Sequence, residues 1–276
     1  MTIAFIGGGN MASALIGGML ARGRAAADVR VIEPSAEQRA KLGTRFPGVS
    51  LSAEPRASVL SDAELVLFAV KPQQMREAAR AVAPHLSRSS AVVLTIAAGI
   101  RLADLSRWLG GYARLVRAMP NTPALVGKGI SGVFADAAVD AAGRALAAGV
   151  LEAGGDVIWV GDEAMLDAVT GVSGSGPAYV FYFLEALELA GQELGFAPAD
   201  ARKLAYATLD GAIALAQSSA EEPATLRAQV TSKGGTTERA LAVLEAAAVK
   251  ANVVAAVKAA ALRARELGDA LGKDDA

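Results

Sequence analysis

The sequence predicts an α/β fold, with a doubly wound parallel sheet in the N-terminal half and an all-α domain after it. Short apolar runs rich in β-branched residues alternate with helical patterns up to about residue 160. Beyond residue 163 the strand pattern ends, and helical periodicity rich in Ala and Leu continues almost to the C-terminus. We therefore expect one domain at residues 1–162 and a second at residues 163–276.

The strands of the first domain are expected at seven apolar runs, namely residues 3–6, 29–32, 65–70, 91–96, 114–119, 129–134 and 157–160. Continuous runs of this kind are typical of parallel strands that are buried on both faces of a sheet. Helical patterns follow the first three runs at residues 10–21, 35–42 and 72–82.

The second domain is expected to consist of helices at residues 178–194, 199–218, 224–229, 239–247 and 249–267. Alanines lie on several faces of these helices, which suits close contacts between helices. The apolar load is high for a domain of this size, so we expect burial against a partner subunit. The tail at residues 268–276 is small and charged, and we expect it to be frayed.

Charge and cysteine content exclude several functions. The chain has 276 residues, of which 53% are apolar, and its 27 basic and 28 acidic residues balance. This balance gives no electrostatic footprint for nucleic acid or an anionic membrane, so we expect neither as a partner. The absence of cysteine excludes disulfides and thiolate catalysis, and it fits a reducing cytoplasm.

Histidine is almost as scarce as cysteine. His85 is the only one, and it follows Pro84 at a predicted helix end, where a capping or surface role is expected. Hydrolytic acyl transfer therefore lacks a Ser–His or His–carboxylate pair near the glycine-rich turns. The acidic residues are scattered without His or Cys partners, so no metal site is expected.

A glycine-rich turn, Gly7-Gly8-Gly9-Asn10-Met11-Ala12, follows the first predicted strand and opens the first helix. Gly7 allows the tight turn, Gly9 lets a pyrophosphate approach the backbone, and Ala12 permits close packing of helix on strand. In this context the turn predicts a Rossmann-like domain that binds a dinucleotide.

Glu33 ends the second predicted strand, roughly 20 residues past the glycines, where an acid bonds the ribose 2′-hydroxyl and favours NAD. Ser35 and Arg39 follow it, however, and the N–H and hydroxyl groups of Ser35 offer a seat for a phosphate. A solvated loop acid is a third interpretation of Glu33. The choice between NADPH and NADH therefore stays open.

Three further segments follow strands or open helices. Lys71 lies at the expected carboxyl edge of the sheet, where ligands collect, and we expect it to reach the ribose or phosphate of the cofactor. Residues 119–123 have two prolines and are interpreted as a rigid turn. Residues 173–179 form a small-residue turn that suits either a pocket wall or a close helix crossing.

The run VTSKGGTTE, residues 230–238, places glycines and hydroxyl side chains directly before a predicted helix. Unpaired N–H groups at a helix start, together with the helix dipole, form a seat for an anion. Two anion seats, one for a cofactor and one for something smaller, suggest an enzyme that brings a nicotinamide to a carboxylated substrate.

Six runs together resemble the pyrroline-5-carboxylate reductase family: FIGGGNMA, FAVKPQ, IAAG, RAMPNTPALVGKG, DAVTGVSGSGPAYVF and VTSKGGTTERAL. They fall in the family's order between residues 5 and 241, and the last two are highly specific. Two positions depart from the pattern. Lys233 stands where many members carry proline, and Glu33 is more acidic than an NADPH preference would suggest.

The resemblance implies hydride transfer from NADPH or NADH to the C=N bond of 1-pyrroline-5-carboxylate, which gives L-proline. It also implies a homodimer, often assembled into a decamer, whose active site draws on both subunits. The implied cofactor contacts are Gly7, Gly8, Gly9, Asn10, Met11, Ser35, Ala69, Val70, Lys71, Pro72 and Ala98. The implied substrate contacts are Glu163, near the amine, and Ser232, Lys233, Gly234, Gly235, Thr236 and Thr237.

These residues suit that chemistry. A protonated cyclic imine accepts hydride without a strong protein acid, so the enzyme has mainly to supply orientation. We expect N–H groups around residues 234–236 to hold the substrate carboxylate. The resemblance makes Thr237 the catalytic residue that touches the ring nitrogen, and Thr236 could serve the same purpose.

Two rival functions differ from this one in testable ways. A two-domain hydroxyacid or amino-acid dehydrogenase needs a Lys or His to handle an alcohol proton, and Lys233 is the only basic candidate at the second anion seat. A non-catalytic redox sensor would bind the dinucleotide and a partner protein but would lack a second small-ligand site.

Overall fold

The structure, a computed structural model, describes residues 1–87 and 89–273. The chain forms two compact units. The first contains Met1–Ser175 and also the C-terminal segment from Ala259 onward, and the second contains Gly176–Lys258. The first unit is therefore discontinuous along the chain.

The first unit is built around one eight-stranded sheet. Its strands are β1 Thr2–Ile6, β2 Val29–Ile32, β3 Ser50–Ser52, β4 Ala63–Phe68, β5 Val92–Thr95, β6 Leu115–Met119, β7 Gly129–Ala135 and β8 Gly155–Trp159. They lie in the order β3-β2-β1-β4-β5-β6-β7-β8. The six strands from β3 to β6 are parallel, which confirms the doubly wound sheet.

The sheet differs from the prediction at both ends. β7 runs antiparallel to β6, because the short connection between them holds no crossover helix, and β8 then pairs parallel to β7. The expectation of a fully parallel sheet is therefore wrong beyond β6. At the other end, the short and polar β3 was not predicted.

The helices of the chain are α1 Asn10–Ala21, α2 Ala36–Arg45, α3 Ala57–Leu60, α4 Met75–Leu86, α5 Leu102–Trp108, α6 Ala141–Leu151, α7 Met165–Val169, α8 Gly176–Glu193, α9 Pro198–Ser218, α10 Pro223–Gln229, α11 Thr236–Ala246 and α12 Val249–Leu271. The five predicted C-terminal helices are confirmed within a few residues. The prediction missed α3, α5, α6 and α7. Pro72 begins a short 3-10 turn that precedes α4, and His85 lies in the last turn of α4.

The core lies on both faces of the sheet, because neighbouring residues of each strand point to opposite sides. On β1, Ile3 and Phe5 face one cluster, which α1 and α6 cover, and Ala4 and Ile6 face another, which α4 and α5 cover. All four residues are 5% exposed or less. Burial on both faces explains why the strands read as continuous apolar runs.

Two adjacent glycines of α1 meet different surroundings, and this gives a stability prediction. A Cβ on Gly18 would lie 2.0 Å from the backbone oxygen of Ala153, whereas one on Gly17 would lie 3.5 Å from the ring of Phe46. We expect Gly18→Ala to lower the free energy of unfolding by about 1–3 kcal/mol, because the backbone must move. Gly17→Ala should be neutral or stabilise the helix by up to about 1 kcal/mol. Urea denaturation of both variants checks this, and equal stabilities would contradict it.

The end of α12 is held by the segment that follows β5. Arg101 Nη2 donates to Asp269 Oδ1 at 2.5 Å, and Arg107 Nη2 donates to the Gly272 carbonyl at 2.7 Å. Leu271 packs against one of the two core clusters. The expectation of a frayed tail is therefore wrong for residues 268–272, and residues 274–276 lie outside the described part of the chain.

The second unit is helical. Its helices α8 and α9 approach closely, since a Cβ on Gly191 would lie 2.9 Å from the Ala201 Cβ. Large apolar side chains lie exposed along these helices, among them Phe181 at 59% and Tyr182 at 72%. In the described chain, no single helix is long and apolar enough to cross a membrane; α11 and α12, bent by 50°, meet that test of length and composition only as a pair.

Candidate active site

The loops that carry the predicted cofactor residues lie at one edge of the sheet. Parallel β1, β2, β4 and β5 all end at this edge, and the loop after each of them carries predicted contacts. β1 lies between β2 and β4, so the chain crosses in opposite directions on its two sides. Such a switch point opens a crevice outside the carboxyl ends of the strands.

Gly7 has the conformation that the fingerprint requires. Its φ is +96°, and a Cβ there would lie 2.8 Å from the Ala69 carbonyl oxygen. Only glycine fits this turn without strain. The loop after β1 therefore runs directly against the loop after β4, which places Gly7, Ala69 and Val70 together.

The start of α1 offers free donors. Gly9 is the N-cap residue of α1. A Cβ added to Gly9 would have no neighbour within 4 Å among the described residues. The first helical bond runs from Ser13 N–H to the Gly9 carbonyl at 2.9 Å. The N–H groups of Asn10 and Met11 precede this bond in the chain and have no hydrogen-bond partner among the described residues. This is a cradle that fits a pyrophosphate.

The loop after β2 closes one side of that cradle. The Glu33 carboxylate accepts hydrogen bonds from Gly8 N–H and Ser35 N–H, each at 2.9 Å. Ser35 caps α2, because its Oγ accepts from Gln38 N–H at 3.2 Å. The Gln38 side chain also reaches the Gly8 carbonyl at 2.6 Å, so the two loops are tied together.

The remaining predicted cofactor residues lie along the same edge. Lys71 is exposed and precedes the 3-10 turn that Pro72 begins. Ala98 is exposed in the loop after β5, where Thr95 Oγ1 accepts a hydrogen bond from Ala97 N–H at 3.2 Å. All eleven predicted contacts thus lie on the loops, or in the first turns of the helices, that follow four neighbouring strands.

A buried arginine that the sequence did not reveal holds Glu163. Arg117 lies on β6, is 5% exposed, and contacts Glu163 Oε1 at 3.0 Å and Asp167 Oδ1 at 3.5 Å. Glu163 Oε1 also accepts from the Leu102 N–H at 2.9 Å. The only sequence trace of this network is a charged residue inside the otherwise apolar run of β6.

The Asn121 side chain connects the proline-rich loop, residues 119–123, to two other segments. It accepts from Ile130 N–H at 2.9 Å and donates to the Ser173 carbonyl at 3.3 Å. Ser173 lies in a single π-helical turn, Thr170–Gly174. The rigid turn at residues 119–123 is thereby connected to the small-residue turn at residues 173–179. The two turns also approach closely, since a Cβ on Gly174 would lie 2.7 Å from the Met119 side chain.

The predicted substrate residues other than Glu163, which belongs to the first unit, form one loop of the second unit. Gly234 has φ of +73°, and Gly235 is the N-cap residue of α11. Both glycine N–H groups have partners: Gly234 N–H donates to Glu238 Oε2 at 2.7 Å, and Gly235 N–H donates to the Ser232 carbonyl at 3.0 Å. The glycine amides that we expected to hold a carboxylate are therefore engaged.

The free donors of this loop lie one or two residues later. The first bond of α11 comes from Arg239 N–H, so in the described chain the N–H groups of Thr236 and Thr237 have no partner. Thr237 is half-buried, whereas Thr236, Ser232 and Lys233 are exposed. The loop thus presents two N–H groups and the Thr237 hydroxyl at the positive end of a helix.

Comparison with known families matches both parts of the chain. Residues 163–267 match the family model described as pyrroline-5-carboxylate reductase dimerisation. Residues 2–99 match the one described as NADP oxidoreductase, coenzyme F420-dependent.

Full-length relatives agree with these matches. The chain is 46% identical to a pyrroline-5-carboxylate reductase of Pseudomonas aeruginosa, with 98% of each chain covered. A pyrroline-5-carboxylate reductase structure from Coxiella burnetii superposes with a TM-score of 0.91 at 37% identity, covering 96% of this chain and 98% of that one. A Plasmodium falciparum pyrroline carboxylate reductase with NADP bound gives a TM-score of 0.84 at 26% identity, covering 97% and 98%.

Proposed function

This chain belongs to the pyrroline-5-carboxylate reductase family, and on that premise we propose that residues 1–162 bind the dinucleotide and residues 163–276 bind the substrate and form the dimer. The enzyme reduces 1-pyrroline-5-carboxylate to L-proline by hydride transfer to the C=N bond. The family model matched at residues 163–267 supports the second part of this division. The hydroxyacid dehydrogenase and the redox sensor are not favoured.

The enzyme uses NADPH, which supplies the hydride when it is bound. We propose that Gly7, Gly8, Gly9, Asn10 and Met11 hold its pyrophosphate, and the positive φ of Gly7 and the open space at Gly9 support this. The other proposed contacts, on the loops after β2, β4 and β5, are Ser35, Ala69, Val70, Lys71, Pro72 and Ala98.

On the substrate side, the observation that carries the proposal is the pair of N–H groups at Thr236 and Thr237, which have no partner in the part of the chain that the structure describes. They can hold the substrate carboxylate at the start of α11, and the Thr237 hydroxyl can hydrogen-bond the ring nitrogen. Ser232, Lys233, Gly234 and Gly235 then shape the loop around the substrate. Because Glu238 and Ser232 already bond the glycine amides, the loop is preorganised and need not fold on binding.

Glu163 is the proposed contact to the substrate amine. Arg117 and the Leu102 N–H both donate hydrogen bonds to its Oε1, which fixes the orientation of the carboxylate. Its Oε2 has no hydrogen-bond partner among the described residues and is the oxygen that we assign to the substrate.

The enzyme forms homo-oligomers and acts on a small molecule. The exposed apolar side chains of α8 and α9 support burial against a second copy. We propose in addition that the dimers assemble into a decamer, that the enzyme is cytoplasmic and that it has no nucleic-acid or membrane partner. The absence of cysteine, which fits a reducing compartment, supports this location.

An assay of NADPH and NADH oxidation with 1-pyrroline-5-carboxylate, beside the six-membered piperideine analogue, tests the function. We expect the five-membered imine to be reduced and Lys233→Ala to keep most of the activity, because the imine needs no lysine to handle an alcohol proton. Complete loss of activity in Lys233→Ala would favour the hydroxyacid chemistry instead.

A further inference from the structure

The Glu33 carboxylate occupies the two main-chain donors at the ribose end of the cofactor cradle. Its Oε2 accepts from Gly8 N–H and its Oε1 accepts from Ser35 N–H, each at 2.9 Å. Within the described residues Glu33 forms no ion pair, so these two N–H groups compensate its charge. The carboxylate thereby bridges the loops after β1 and β2, where a dinucleotide-binding fold meets the adenosine ribose.

Two neighbouring groups that could bind a phosphate, the Ser35 hydroxyl and the Arg39 guanidinium, are partly engaged within the chain. The Ser35 hydroxyl accepts from Gln38 N–H at 3.2 Å. The Arg39 guanidinium donates through Nη1 to the Glu33 carbonyl at 2.6 Å and to the Pro34 carbonyl at 2.7 Å. The Ser35 N–H, which the sequence offered to a 2′-phosphate, and the adjacent Gly8 N–H are thus both occupied by a carboxylate of the chain itself.

We propose that Glu33 is the specificity-determining residue of the cofactor site and shifts the preference of this enzyme from NADPH towards NADH. This inference rests on the proposed cofactor role of the loops after β1 and β2. A ribose 2′-hydroxyl can donate to the Glu33 carboxylate without disturbing its two N–H bonds. A 2′-phosphate carries like charge, so it must displace the carboxylate before it can reach the same N–H groups.

Direct binding of cofactor fragments tests this without the reductase reaction. Isothermal titration calorimetry would compare adenosine 2′,5′-bisphosphate with adenosine 5′-monophosphate, which differ only in the 2′-phosphate. For the wild-type enzyme we expect the bisphosphate to bind no more tightly than the monophosphate. In Glu33→Gln we expect the bisphosphate to bind roughly tenfold more tightly than in the wild type, because a like charge is removed. Binding of the monophosphate should change by less than about threefold, since a neutral amide can still bond the hydroxyl.

Glu37→Gln is the matched control. Glu37 lies on α2 four residues further along the chain, is exposed, and pairs with Lys41 at 2.6 Å, so the same charge is removed without touching the loop amides. We expect neither fragment to change in affinity. A circular dichroism melt confirms that each variant is folded. If Glu33→Gln does not fold, the wild-type comparison of the two fragments still decides.

A bisphosphate that binds the wild-type enzyme more than tenfold more tightly than the monophosphate would overturn the proposal. An unchanged affinity ratio in folded Glu33→Gln would do the same. The failure of the proposed function would look different, because then the enzyme would oxidise neither NADPH nor NADH in the presence of 1-pyrroline-5-carboxylate.

Discussion

Thr237→Ala is expected to lower kcat/KM for 1-pyrroline-5-carboxylate by roughly five- to 150-fold, which corresponds to the loss of about 1–3 kcal/mol from one hydrogen bond to the reacting nitrogen. The fold should be unaffected, because Thr237 is half-buried in the first turn of α11 and its side chain forms no hydrogen bond with the described residues. Steady-state kinetics beside a thermal melt of the same variant measures both quantities.

Two further variants make the test specific. Thr237→Ser keeps the hydroxyl and should recover most of the activity. Thr236→Ala removes the neighbouring, exposed hydroxyl and should have the smaller effect if Thr237 is the group that touches the nitrogen. Wild-type kinetics in Thr237→Ala would remove Thr237 from the mechanism, and a larger loss in Thr236→Ala would transfer its role.

Arg117→Ala is expected to lower the free energy of unfolding by about 3–5 kcal/mol, because it leaves the carboxylates of Glu163 and Asp167 beside a buried site without their cation. The side chains of Glu163 and Asp167 are only 23% and 15% exposed, so the carboxylates regain only part of their hydration when the guanidinium is removed. Urea denaturation of the full-length protein measures the change.

Arg114→Ala is the matched control, because Arg114 directly precedes β6, the strand that carries Arg117. Arg114 contacts Asp140 at 3.4 Å, and its side chain is 31% exposed, so the pair should contribute no more than about 1 kcal/mol. Equal losses of stability in the two variants would contradict a special role for the Arg117 network.

Because Arg117 also orients Glu163, a folded Arg117→Lys should raise the KM for the substrate more than it lowers kcat.

Local patterns predicted most of the fold. The strands that lie between two layers of helices were visible because burial on both faces leaves an unbroken apolar run, as in β1 and β4. β3 was missed because it is a three-residue edge strand of Ser-Leu-Ser, which needs no such run. The direction of β7 depends on the connection that precedes it, and residues 129–134 alone carry no information about direction.

The candidate site likewise contains residues that the sequence predicted and residues that it did not. Gly7 was predictable because only glycine takes its positive φ in that turn. The Arg117–Glu163–Asp167 network was not, because its members are brought together from β6 and from the segment around α7 by the fold. The hydrogen bond from the Gly234 N–H to Glu238 joins residues only four positions apart. It was still not predictable, because a carboxylate at the start of a helix can accept from several backbone N–H groups.

The return of the last helix to the first unit has a consequence for biosynthesis. Arg101 and Arg107, which follow β5, take their partners from Asp269 and Gly272, more than 160 positions later in the chain. While the ribosome is still translating the middle of the message, the nascent N-terminal sheet therefore lacks part of its covering. Complete packing of that half requires that residues 269–272 have been translated and have left the exit tunnel.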